Sequence, residues 1–127
     1  MTTDPQCFVI MPINNPATEF LYSEVYYPII TAANFMPDRI DKTEDGGDLA
    51  PKIMEKIVTS SLIIADITME RQNCYFELGF AYGRLKSQQI IVCCREDHYA
   101  RSPNYRNDGP CVHFDMGGKN YFVVASR

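Results

Sequence analysis

The chain has 127 residues, with 12 basic and 16 acidic side chains and a formal net charge of −4. Its lysines and arginines are scattered, which speaks against a polyanion or sequence-read nucleic acid as partner. No apolar run approaches the ~18 residues of a membrane span, and the opening Met-Thr-Thr-Asp-Pro-Gln has no basic-then-apolar leader, so a cytoplasmic protein without membrane contact is expected.

At this length one domain, 1–127, buries about two-thirds of the surface its unfolded chain exposes, and no staple is required. Five cysteines, Cys7, Cys74, Cys93, Cys94 and Cys111, form an odd set without C-x-x-C spacing, so neither a metal site nor a disulfide framework is expected. No spacing joins them to His98 or His113 as nucleophile and base.

Cys7 to Ile13 is a continuous apolar run interrupted by Pro12, which suits a central strand and the start of its exit loop. From Ala17 to Asn34, Leu21, Val25, Ile29 and Ala32 or Ala33 recur at helical spacing, and Pro28 should bend or break that helix. Tyr22, Tyr26 and Tyr27 read as packing side chains with hydroxyls at the surface. Phe35 to Asp41 is a weak strand whose internal proline suits a sheet edge, with Arg39 and Asp41 on one face near its carboxyl end. Asp48 is expected to cap a helix with Pro51 in its first turn and Leu49, Ile53, Ile57 and Val58 as its apolar stripe.

Leu62 to Ala65 is a short β-branched run for a strand buried on both faces, and Asp66 sets a carboxylate at its carboxyl end. Asn73 is the expected N-cap of the next helix, with Glu77 one turn inside on the same face. Two carboxylates and an amide should then converge in the crevice beyond the strand ends. Gln89 to Cys94 supplies a fourth strand, followed by a long polar loop, 95–110, in which Arg101 and Arg106 are the phosphate-binding candidates. Val112 to Asp115 and Tyr121 to Ala125 are strand-like. This alternation predicts a three-layer α/β fold, flavodoxin-like or Rossmann-like, with a mostly parallel sheet of order 2-1-3-4-5.

No G-x-G-x-x-G, P-loop, H-E-x-x-H or G-x-S-x-G motif occurs, which removes the usual support for dehydrogenase, NTPase, zinc protease and serine hydrolase readings. A carboxylate pair in a cleft without metal ligands suits glycosidic chemistry. Phe8-Val9-Ile10-Met11-Pro12, Arg39-Ile40-Asp41, Ala65-Asp66-Ile67-Thr68 and Asn73-Cys74-Tyr75-Phe76-Glu77-Leu78-Gly79 together resemble the nucleoside 2-deoxyribosyltransferase-like superfamily, including its TIR-like bacterial members; Phe114-Asp115-Met116 is a weaker match. The resemblance implies Glu77 as the nucleophile that takes the sugar from the base. Asp66 would orient the sugar or protonate the base.

The same resemblance implies a pocket shaped by Met11 and Pro12 and lined by Arg39, Asp41, Asn73 and Asp115. Met69-Glu70-Arg71-Gln72 departs from the small turn usual in that family, and Phe76 stands where a tyrosine is often found. The implied activity is cleavage or transfer at the N-glycosidic bond of a nucleoside or nucleotide, without a cofactor. NAD cleavage of the TIR kind is the enzymatic alternative, and a non-catalytic nucleotide-sensing or self-associating domain is the other. A homodimer or higher homo-oligomer is expected, with the tyrosine-rich first helix as contact surface.

Overall fold

The computed structural model describes residues 4–12, 15–40, 49–68, 71–98, 103–105 and 121–124. Strand β1 is Gln6–Ile10, and its four apolar residues from Cys7 on are all buried, as a central strand requires. Met11 and Pro12 leave the ladder, and Asn15 then caps helix α1, Pro16–Leu21, its side-chain oxygen accepting from the backbone of Ala17 at 2.9 Å. Pro16 occupies the first turn, where its missing N–H has no intrahelical partner to lose.

The helix does not run on regularly. Residues Tyr22–Tyr26 form a π-turn, in which the Tyr27 amide donates to the carbonyl of Tyr22, five residues back, and α2 continues as Tyr27–Ala32. Pro28 gives the reason: it has no amide for the carbonyl of Glu24 and its ring crowds that carbonyl, so widening the preceding turn relieves the clash. The extra residue advances the buried face. Leu21, Tyr26 and Ile30 point inward, whereas Ile29, expected in the stripe, is 61% exposed. The helix closes on Asn34 at φ 65°, with the Phe35 amide donating to the Ile30 carbonyl and the Asn34 amide to that of Thr31.

Strand β2, Met36–Asp38, is a three-residue outer strand that accommodates Pro37. Helix α3 is Leu49–Thr59; Pro51 sits in its first turn as expected, and the Lys56 ammonium pairs with Asp38 at 2.6 Å. Ile57 is fully buried and Ile53 packs beside it, but Val58 is 36% exposed and does not belong to the stripe. It follows Ile57 by 100° around the helix, which is enough to turn it outward. The expected cap Asp48 lies outside the described residues.

Strand β3, Leu62–Asp66, lies beside β1 and carries β4, Ile90–Arg95, on its other side; β5, Tyr121–Val124, follows β4. Every pairing is parallel, and the four-strand body has the order β2-β1-β3-β4. Between β3 and β4 runs α4, Gln72–Arg84. The expected strand at Val112 to Asp115 lies outside the described residues. No described helix is long and apolar enough to cross a membrane.

Two apolar clusters cover the two faces of the sheet. Phe8, Ile10, Ile63, Ala65 and Val92 meet Ile57 of α3 and Cys74, Leu78 and Ala81 of α4 on one face. Cys7, Val9, Ile64 and Cys93 meet Leu21, Tyr26 and Ile30 on the other. Strand side chains alternate between these clusters with the two-residue period, so the layer a residue faces follows from its parity.

Candidate functional site

From β1 the chain crosses to β2 on one side, and β3 on the other side leads on to β4. The carboxyl ends of β1 and β3 therefore flank a topological switch point, where an open parallel sheet leaves a crevice. Met11 and Pro12 follow β1 there, and Asp66 ends β3.

Asp66 sits where the sequence puts it, but its side chain turns away from α4. It shares parity with Ile64, faces the α1–α2 layer and has no exposed surface. One carboxylate oxygen, Oδ1, accepts from the Thr68 amide at 2.9 Å, the bond expected of an aspartate that orders the turn after its strand. The other, Oδ2, accepts from the Tyr26 hydroxyl. Thr68 Oγ1 in turn accepts from the Arg95 amide at 3.0 Å, and Asp97 holds the Arg95 guanidinium through two bonds of 2.9 and 2.7 Å. A buried polar chain thus joins the first helix to the ends of β3 and β4.

Tyr26 corrects the expectation of a surface hydroxyl. The residue is 4% exposed, and burial, reinforced by the Asp66 charge, pushes its ionisation well above the ordinary tyrosine range. It remains a donor. The Cys93 thiol is pushed up to about 12, chiefly by burial, with the Asp66 charge adding to the rise. Such thiols are inert at neutral pH. The sequence holds one signal for this role, Pro28, which sets the π-turn that rotates Tyr26 inward.

Helix α4 begins two residues earlier than expected. Arg71 is its N-cap, without a side-chain capping bond, and Asn73 is its exposed second residue rather than the cap. The Arg71 carbonyl accepts from Cys74 and Tyr75 at 3.0 and 3.2 Å, which places the first turn upstream of Asn73. Glu77 accordingly lies in the second turn, about 7 Å along the axis from the helix start. A helix dipole acts mainly within the first turn, so macrodipole compensation does not account for a glutamate at this position.

Glu77 is half-buried beside the inward stripe of Cys74, Leu78 and Ala81, and burial pushes its carboxyl up to about 7. Cys74 registers the surrounding charges: burial raises its thiol to about 12, Glu77 and Asp66 add to the rise, and Arg71 opposes it. Glu77, Asp66 and Arg71 are thus electrostatic neighbours of one buried thiol. Asp66 itself is held by Tyr26 and Thr68 on the α1–α2 face of the sheet.

Arg39 and Met11 do come together. The Arg39 guanidinium pairs with Glu19 of α1, lies 4.0 Å over the Tyr22 ring and contacts the Met11 sulfur at 3.9 Å. This cluster belongs to the α1–α2 face, like Asp66 and unlike Glu77. Asp41, Arg101, Arg106 and Asp115 lie outside the described residues. Among the described residues no three His, Cys, Asp or Glu side chains group to hold a metal ion. Neither a scan against family models nor a search of curated proteins finds a match to this chain.

Proposed function

We propose that this chain cleaves or transfers at the N-glycosidic bond of a nucleoside or nucleotide, with Glu77 as nucleophile, on a flavodoxin-like domain of strand order 2-1-3-4-5. The observation that carries the reading is Glu77 itself, a half-buried carboxyl in the second turn of α4, raised to about 7 by burial, which no capping or dipole role explains. In the ionised form its oxygen attacks the anomeric carbon, the bond to the base breaks, and the electron pair leaves with the base. Water or an acceptor base then opens the glycosyl ester and restores the carboxylate. The pocket lined by Met11, Pro12, Arg39, Asp41, Asn73 and Asp115, and phosphate contacts from Arg101 and Arg106, belong to the same proposal.

One observation favours a second reading. A sugar-orienting aspartate needs an oxygen that the substrate can reach, and Asp66 has no exposed surface and already accepts one hydrogen bond on each oxygen. That closed arrangement suits a domain that binds a nucleotide without turning it over. Incubation with deoxynucleosides, nucleoside monophosphates and NAD, followed by chromatography of the free base, separates the cases. Release from a nucleoside or nucleotide supports the glycosidic reading; nicotinamide release alone indicates the TIR-like alternative. Ligand-dependent thermal stabilisation without any free base indicates a sensor.

A further inference from the structure

We infer that Tyr26 is a positioning residue of this site, acting through Asp66 on the turn that leads into α4 and Glu77. Its catalytic part rests on the glycosidic reading; its structural part does not.

The first ground is the chemistry of the buried pair. A carboxylate with no exposed surface is tolerated only when its oxygens are hydrogen-bonded, and Tyr26 and Thr68 supply one donor each. Stability alone does not call for such a group, since apolar replacements of buried polar pairs are often neutral or stabilising. The second ground is register. Tyr26 reaches Asp66 only because the π-turn at Tyr22–Tyr26 adds a residue to the first helix, and single π-turns inside α-helices recur at functional sites.

The third ground is where the chain goes next. Asp66 fixes the Thr68 amide, Thr68 Oγ1 fixes the Arg95 amide at the end of β4, and three residues after Thr68 stands Arg71, the first residue bounding α4. Arg71 offers only its backbone carbonyl as a cap, without a side-chain capping bond, so no capping side chain among the described residues sets the helix start. Its position is inherited from the 66–68 turn. Losing the Tyr26 hydroxyl frees one Asp66 oxygen, loosens that turn, and lets the first turns of α4 and the Glu77 carboxyl wander from the reacting geometry. A displacement of about 1 Å in a reacting group is enough to lower a rate on the order of a hundredfold.

The test compares Tyr26→Phe, Asp66→Asn and the double variant by amide hydrogen exchange and by base release from the substrate that wild type accepts. Exchange at Thr68, Cys74 and Tyr75 should quicken by about tenfold or more in Tyr26→Phe, with β1 and β3 amides within about twofold of wild type. For activity, kcat should fall about 10- to 100-fold at nearly constant KM in each single variant, and the double variant should be no worse than the poorer single one. Unchanged exchange at the three amides, uniformly faster exchange over the whole sheet, kcat of Tyr26→Phe within about twofold of wild type, or multiplicative losses in the double variant would each overturn the assignment. If wild type releases no base from any substrate, the glycosidic reading fails by itself and the exchange pattern alone decides the role of Tyr26. If Tyr26→Phe does not fold, Asp66→Asn carries the same comparison: local exchange at Thr68 and the start of α4 supports the inference, and a change confined to KM overturns it.

Discussion

Glu77 and Asp66 are two acidic residues in different surroundings. Asp66 has no exposed surface and accepts from two donors, and desolvation pushes the Glu77 carboxyl up to about 7. A nucleophilic carboxylate works ionised, so kcat/KM for base release should rise with pH through about 7 and level off above it, as a pH-rate profile will show. Glu77→Gln keeps volume and helix position but cannot attack carbon. It should lower turnover by at least ~100-fold, and turnover within ~10-fold of wild type would sink the assignment. The same substitution tests the linkage. A carboxyl with a raised folded pKa stabilises most below its unfolded pKa and loses that contribution as pH rises through about 7. Glu77→Gln should therefore melt a few degrees above wild type at pH 8, with the gap closing toward pH 5; equal melting at both pH values would mean that burial does not perturb Glu77. Both carboxylates were legible in the sequence, Asp66 because it ends a patterned strand and Glu77 because it lies within the helix that follows. Tyr26 was not, because its partner lies 40 residues away and its orientation depends on a helix irregularity.

That irregularity is the main departure at the scale of elements. A straight helix would bury Leu21, Val25 and Ile29; the π-turn instead buries Leu21, Tyr26 and Ile30. The two registers predict opposite outcomes for neighbouring isoleucines. Ile30→Ala should destabilise by about 2–4 kcal/mol through a lost side chain and a cavity, whereas Ile29→Ala at an exposed position should stay within about 0.5 kcal/mol. Urea unfolding of the two variants decides, and the reverse order would restore the straight helix. The body of four strands, β2-β1-β3-β4, needed no such correction in type or order, since runs such as Leu62 to Ala65 and Ile90 to Cys94 are continuous and apolar, as a strand buried on both faces requires; the fourth strand starts at Ile90, one residue after the expected Gln89. The start of α4 lies two residues before the expected cap for a local reason: Asn73 has the better capping side chain, but the chain turns helical at Gln72 on the backbone carbonyl of Arg71.

For the molecule as a whole, strand order followed from alternation and crossover handedness, whereas the distribution of surface between the two helical layers did not. Tyr27, Ile29 and Met36 are 48%, 61% and 47% exposed, and all three belong to the first helix or the outer strand β2. Of the tyrosines expected at a contact surface, Tyr26 is interior and Tyr22 lies under Arg39, whereas Tyr27, Ile29 and Met36 are exposed. We propose that this side meets a second copy across a two-fold axis, the closed geometry commonest for identical chains. The pair would sit beside β2 and Arg39, so association should also bear on the crevice at the carboxyl ends. Light scattering at micromolar concentration should give twice the chain mass of 14.5 kDa. Ile29→Glu places an unpaired charge in the contact and should return the chain to that single mass with its fold intact by circular dichroism, because the residue supports no core packing. A wild-type chain that stays at 14.5 kDa, or an Ile29→Glu variant that still pairs, would remove this surface as the contact.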